Sequence, residues 1–278
     1  MLAAVAAMPV HHANQTTFLV ILIGMGVILV AIAGWWWVSR EYTRSGIVLP
    51  LLMLGIGLAS LIQEPVFDNA ALYWYPHHND WSLFTAFGRE IPAYIPIGYG
   101  WFFGGVSFIL YRLFSRYGTS RLVWQLFAIS VVIDTVATAA VSWMHAAGFY
   151  GYQPFNVFDY PLWFAWVDAG TTILNAVLLM ALVPRLKGIR FAWLLVIPLI
   201  TYSAQNGVVD TPITLALHSG WSHAAIWLMG TLSIVLGSCI VFGCSLLVPI
   251  LAHRRADAGV VKSTEDGLAE RQAVPVPG

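Results

Sequence analysis

Apolar residues along this chain fall into seven long blocks separated by short polar connections. A helix needs about 20 mostly apolar residues to cross a ~30 Å hydrocarbon layer. The pattern predicts spans at Thr17–Val38, Ile47–Gln63, Ile91–Phe114, Leu122–Met144, Pro161–Val183, Phe191–Val208 and Ala224–Ala252. The second and sixth are shortest, and each runs into polar residues followed by proline. Pro65 and Pro212 cannot donate to a helical ladder, so each is an expected stop. The expected fold is all-α: a polytopic membrane protein of seven transmembrane helices, with no internal repeat.

Orientation follows from Lys and Arg in the short loops. Arg40 and Arg44 follow the first span, Arg112, Arg116 and Arg121 flank the connection between the third and fourth, and Arg185, Lys187 and Arg190 lie between the fifth and sixth. Arg254, Arg255, Lys262 and Arg271 follow the seventh. These are twelve of the thirteen basic residues, and the other face has only Arg89. The basic face is therefore expected in the cytoplasm, which puts the N-terminus outside and the C-terminus inside a multi-pass cell-membrane protein. Residues 1–16 are expected as a short non-cytoplasmic tail, 17–252 as the helical domain, and 253–278 as a disordered cytoplasmic tail of mixed composition. With no basic residue in the first sixteen, the first span is expected to be retained rather than cleaved as a signal peptide.

Composition agrees with the pattern. Charged residues make up 9% of the 278, against roughly a quarter in a soluble domain, and mean hydropathy is +0.77. A net charge of zero argues against a nucleic-acid partner. Cys239 and Cys244 fit no ligand spacing and read as packing residues. The histidines match no metal-ligand pattern, so neither metal nor cofactor is expected.

The acids carry the candidate chemistry. All eight from Glu64 to Asp210 map to the non-cytoplasmic loops or to the membrane interior. Glu64 ends the second span, Asp68 and Asn69 follow it, and Asp210 lies beyond Gln205-Asn206 at the end of the sixth. Asp134 and Asp168 lie roughly 15 Å and 12 Å below the outer ends of their helices at ~1.5 Å per residue. That depth lets them meet between neighbouring antiparallel spans. An acid at mid-membrane costs at least ~2.5–3.5 kcal/mol, so such groups are normally paired, protonated or facing a wet cavity. Asp134, with Thr135 and Thr138 nearby, reads equally well as a hydrogen-bonding post between helices. Asp80 and Asp159 read as interfacial loop charges. Arg89 is either an ion-pair pin for the third span or an anchor for a polar substrate group. The outer loops alternate aromatic residues with Asn, Gln, His and acids, as in Tyr73-Trp74-Tyr75-Pro76-His77-His78 and Gly148-Phe149-Tyr150-Gly151-Tyr152-Gln153. That suggests a lid packed over a cavity as well as an aromatic belt.

Four short runs carry a resemblance: Glu64-Pro65 through Asp68-Asn69, Trp74-Tyr75-Pro76, Phe87-Gly88-Arg89-Glu90-Ile91-Pro92, and Tyr160-Pro161-Leu162-Trp163. They resemble a group of actinobacterial membrane proteins similar to the spirocyclase family typified by the avermectin spiroketal cyclase. The resemblance covers about residues 60–220. It implies a membrane-embedded cyclase or dehydratase acting on an apolar polyketide or terpenoid, and carries over Glu64, Asp68, Asn69 and Arg89 as motif positions. The architecture is also similar to the integral membrane terpene cyclases, which use seven short-looped helices and intramembrane acids.

The leading expectation is an acid–base cyclase or isomerase with an apolar small-molecule substrate. Glu64 and Asp68 are the acid candidates and Asp168 and Asp210 the partner or base. Asn69, Trp74, Arg89, Tyr99, Trp101, Trp163, Trp166 and Asn206 are the candidate cavity lining, the aromatics stabilising positive charge by cation–π contact. The rival is a proton-coupled carrier or sensor in which Asp134 and Asp168 form a relay, and a non-catalytic subunit is a third reading. The seventh span contains no lysine, which excludes a Schiff-base retinal protein. Substrate identity and oligomeric state are left open.

Overall fold

A computed structural model describes residues 7–41, 43, 46–78 and 80–272, with side chains described as far as Arg254. Among the described residues, seven helices are long and apolar enough to cross a membrane. They are α1 (Gln15–Val38), α2 (Val48–Ala71), α3 (Tyr94–Tyr117), α4 (Ser120–Trp143), α5 (Leu162–Arg185), α6 (Gly188–Val209) and α8, which is apolar over His223–Arg254. A short helix, α7 (Thr211–His218), joins α6 to α8. The backbone of α8 continues to Gln272. Most of the tail from 253 onward, like Arg44 and residues 1–6 at the N-terminus, lies outside the residues whose side chains are described.

The expected stop at Pro65 is corrected. The second helix passes through Pro65 and continues to Ala71. Proline forfeits one ladder bond, and helices buried among other helices tolerate the loss because neighbours satisfy the freed group. What ends α2 is Leu72, which turns left-handed (φ 58°) and donates its N–H to the Asp68 carbonyl. Pro212 behaves as expected: it starts a new helix just beyond α6. Continuation past Pro65 sets Glu64 and Asp68 one turn apart on the same side of α2.

Two spans change helical pitch. The middle of α3 is a π-helix over Gly100–Val106, and α6 opens as a 3-10 helix over Gly188–Leu195 and closes as a π-helix over Ser203–Val209. Such segments re-aim side chains and recur at functional sites. The α2 and α6 backbones pass so close that a Cβ built on Gly55 would lie 2.7 Å from the Leu195 Cα.

One end of the bundle carries a cap of small β-ladders. Strand β1 (Tyr73–Trp74) pairs with β4 (Gly148–Phe149), tying the α2–α3 connection to the α4–α5 connection. Strands β2 (Ser82–Ala86) and β3 (Arg89–Pro92) form a hairpin. Phe87 and Gly88 at its turn both have positive φ (49° and 72°), the backbone a tight hairpin requires. Strands β5 (Asn156–Val157) and β6 (Tyr160–Pro161) turn in the same way through Phe158 and Asp159. The segment before α1 straps onto this cap: His77 N–H donates to the His11 carbonyl and Ala13 N–H to the His77 carbonyl. His11 also stacks on Trp74 at 4.7 Å.

The other end is basic. Arg112, Arg116, Arg121, Arg185, Lys187, Arg190 and Arg254 all fall at its loops or helix ends, and Arg112 pairs with Glu41 at 2.7 Å. Between this end and the cap half, Leu49, Leu52, Phe108, Tyr111, Phe114, Val123 and Phe127 form a fully buried apolar core.

Candidate functional site

Above that core, in the cap half of the bundle, a cavity with about 750 Å³ of space between atoms, open solvent at its mouth included, is walled by α1, α2, α3, α4, α5 and the cap. Four carboxylates line it: Glu64 and Asp68 from α2, Asp134 from α4 and Asp168 from α5. All are at least nine-tenths buried. The remaining wall is largely aromatic: Tyr73 and Tyr75 from the cap, Tyr94, Tyr99, Trp101, Phe102 and Phe103 from α3, and Phe164 from α5. Among the described residues, no Lys, Arg or His is in the wall.

Glu64 is held at both oxygens. Tyr75 OH donates to Oε1 at 2.5 Å, and Tyr99 OH donates to Oε2. Tyr99 in turn shares a hydrogen bond with Tyr202 of α6. A phenol both donates and accepts, so the same contacts suit either protonation state: with a proton on Glu64, one tyrosine turns from donor to acceptor. Asp134 Oδ2 accepts from Tyr160 OH, which the β5–β6 hairpin places over α4. By contrast, Asp68 Oδ2, Asp168 Oδ1 and Trp101 Nε1 have no protein hydrogen-bond partner among the described residues. A carboxylate oxygen or indole N–H buried without a partner is costly. These three groups are what a guest's polar atoms would meet.

A second group of polar side chains lies behind Asp168, on the π-helical end of α6. Gln205 packs over Gly170, where an added Cβ would sit 3.1 Å from Nε2. Asn206 approaches the Asp168 carboxylate without completing a hydrogen bond. Asp210, fully buried just past the end of α6, also carries an unpartnered oxygen. Burial raises the Asp210 carboxyl well above the ordinary aspartate value. The neutral acid is thus the form the fold favours. Its contribution to stability is complete below the unfolded value near pH ~4 and is lost as pH rises through the folded value. Asp210→Asn removes that titration. The variant's melting temperature relative to wild type is therefore expected to rise between pH 4.5 and pH 8 in detergent. A gap that stays constant with pH would show that the carboxyl is not neutral in the fold.

Of the twelve residues singled out from sequence, the cavity wall takes Glu64, Asp68, Asp168, Tyr99 and Trp101. Asn206 and Asp210 stand behind the wall. Trp163 is buried in the α5–α7 core, donating to Gln153 Oε1 at 3.3 Å. Trp166 faces α8 and donates to Ser238. Trp74 belongs to the cap, with Gly148 packed against its indole. Asp80 and Asp159 are exposed.

Arg89 and Asn69 form a clamp outside the cavity wall. The Arg89 side chain is buried and donates to four acceptors: the Tyr73 carbonyl (2.7 Å), Asn69 Oδ1 (3.1 Å), the Phe87 carbonyl (3.0 Å) and Tyr150 OH (2.8 Å). One guanidinium thereby joins the end of α2, both connections and the β2–β3 turn. Arg89→Lys keeps the charge but not the planar fork. It is expected to destabilise the cap by about 2–3 kcal/mol, read as a lower melting temperature and faster proteolysis between residues 73 and 93. Wild-type protease resistance would show that the clamp is dispensable.

The comparisons with known proteins return no match, whether against family models, characterised proteins or solved structures. The site therefore has to be read from its own chemistry.

Sequence reasoning left Asp134 open between post and site, and passed over Tyr94, Tyr202 and Phe164. The structure places Asp134 on the side of α4 that also buries Val131 and Thr135, opposite the exposed Val132 and Val136, a division that the sequence, with valines on both sides, does not mark. Tyr202 carries no sequence signal either. It reaches Glu64 through Tyr99, across more than a hundred residues of sequence.

Proposed function

We propose that this protein is a membrane-embedded cyclase or isomerase that uses cavity carboxylates for acid–base chemistry on an apolar terpenoid or polyketide chain. In this reading the cap faces outward and the basic end lies in the cytoplasm, in keeping with the charge asymmetry. The observation that carries the proposal is four buried carboxylates converging on one aromatic-walled cavity with no basic residue in its wall among the described residues. Such a wall has nothing to hold a diphosphate. It suits a guest that is hydrocarbon over most of its length.

The balanced chemistry is an isomerisation. The O–H bond of the acid breaks as a C–H bond forms at an alkene or enol-ether carbon, leaving a carbocation. A ring-closing bond forms at that cation, and a carboxylate then removes a proton from a neighbouring atom, so mass is unchanged. Glu64 is assigned as acid, with its tyrosine partners adjusting as the proton leaves. Asp68 is the alternative acid one turn away, and Asp168, with Asn206 and Asp210 behind it, is the base. Trp101, Phe102, Phe103 and Phe164 would face the cationic intermediate. The resemblance to the spirocyclase family points to a second acid–base ring closure on the same groups: the hemiketal hydroxyl of a dihydroxy ketone takes the acid's proton and leaves as water, the other hydroxyl closes the ring, and its proton passes to the base.

A carrier needs a polar path through the bundle. The apolar core from Leu49 to Phe127 fills the basic half, and the buried Asn175 and Thr201 are bonded to each other at 2.6 Å. That favours a dead-end pocket. The test is to incubate membranes containing the protein with linear polyprenols and with hydroxy-ketone polyketides, and to analyse products by mass spectrometry. A product isomeric with its substrate, or lighter by one water for a spiroketal, supports the reading. Failure of every apolar chain would overturn it.

A further inference from the structure

The cavity is covered at both ends of the bundle and more exposed along one side. At the cap, Tyr75, Trp74 and Arg89 are at most 6% exposed, with Tyr73 half-buried among them, and the apolar core fills the basic half. Among the wall residues of α1, α3 and α4, most are buried. The half-exposed ones are Met25, Gly98, Ala137 and Thr138. All four line the same cavity, Met25 from α1, Gly98 from α3, and Ala137 and Thr138 from α4, on the side where the cap half of α3 packs elsewhere than on α4. Helices α3 and α4 meet near their basic ends and then part: the cap half of α3 packs on α1 and α2, while α4 packs on α5 and α8. Gly98 and Thr138 lie roughly 6–8 Å along their helices from the cap ends, at ~1.5 Å per residue. That is acyl-chain depth, not the aqueous surface.

The sides of the gap are chemically suited to passage. Glycine, alanine and threonine leave space, and the one long side chain is Met25, whose Sδ lies 3.0 Å from the position of a Cβ on Gly98. Methionine is unbranched and re-packs readily, so Met25 can swing without moving backbone. Outside the gap, Val132 and Val136 of α4 are exposed apolar surface. Inside it, the unpartnered Trp101 Nε1 and Asp68 Oδ2 await a polar group.

We infer that the substrate is a bilayer-dissolved hydrocarbon chain that enters sideways from the cap-side leaflet, between α3 and α4 past Met25, and presents an uncharged hydroxyl or carbonyl to the carboxylates. This rests on the reading of the cavity as a pocket for an apolar substrate, and adds the route and the physical state of that substrate. A water-soluble or anionic substrate entering through the cap is its opposite.

The experiment is photolabelling in nanodiscs with diazirine-bearing farnesol, with adducts located by peptide mass spectrometry. Labelling is expected in the segments 94–103 and 134–141, displaced by excess farnesol. Ala137→Trp fills the gap and is expected to reduce it by about tenfold, the factor equivalent to 1.4 kcal/mol. Val132→Trp, lipid-facing on the same helix, should leave it unchanged. Because a bulky variant can disturb folding, Met25→Ala supplies the opposite sign, with labelling faster than wild type. Equal labelling in the Ala137→Trp, Met25→Ala and wild-type proteins, or adducts confined to the cap, would overturn the route. Gap-dependent labelling without turnover of any chain would leave the route standing and remove the cyclase. Turnover without gap-dependent labelling would do the reverse.

Discussion

Glu64→Gln is expected to fold normally and to lose turnover by about 10²–10⁴-fold, the usual contribution of a positioned acid or base. The substitution isolates chemistry from packing. Glutamine has the shape of glutamate, and its amide offers one acceptor and two donors. The hydroxyls of Tyr75 and Tyr99 can therefore still be satisfied, one donating to the amide oxygen and one accepting from the amide nitrogen. What glutamine cannot do is release or take up a proton near neutral pH. The expected pattern is a collapse of kcat with KM little changed, since the residue is assigned to proton transfer rather than to uniform binding. Tyr75→Phe should give a smaller loss, because it removes one support at Oε1 and leaves the carboxyl. Wild-type turnover in Glu64→Gln would take Glu64 out of the mechanism and pass the role to Asp68, whose Oδ2 is unpartnered.

The largest structural effect is expected at Gly55. A methyl group there would lie 2.7 Å from the Leu195 Cα, 2.8 Å from the Leu194 carbonyl oxygen and 2.9 Å from the Leu195 carbonyl oxygen. All three are backbone atoms, so no side chain can move aside. The α2 and α6 helices must part by about an ångström, in a bundle where close approach of small residues is itself the source of packing energy. Gly55→Ala is expected to cost about 1–3 kcal/mol and Gly55→Leu more. The consequence reaches the site, because α6 carries Tyr202 and Asn206 toward Glu64 and Asp168. Gly57→Ala is the control, since its nearest neighbour would be the Pro96 carbonyl oxygen at an ordinary 3.5 Å. Thermal melts of the purified variants check this directly. Equal melting temperatures for the Gly55→Ala and Gly57→Ala proteins would show that α2 and α6 are not in backbone contact.

The sequence by itself determined that there are seven apolar helices and which segments form them. Apolar run length is a local property, and the bilayer's ~30 Å thickness sets one threshold for all of them. It also picked out Glu64, Asp68 and Asp168, because an acid beside or within an apolar run carries a penalty that nothing local explains. Tertiary structure decided the rest. It carried α2 through Pro65, since a helix packed among other helices tolerates a lost ladder bond that the same sequence alone in water would not. Arg89 and Asn69 became a clamp because Tyr73, Phe87 and Tyr150, scattered in sequence, converge on one guanidinium. Phe164 took the wall position expected of Trp163 and Trp166, since helix rotation is fixed by packing against α4 and α8 and one residue of rotation turns a side chain by 100°. The Tyr202–Tyr99–Glu64 chain and the gap beside Met25 have no sequence signature at all. Both depend on where helices approach and where they diverge, which only the whole bundle specifies.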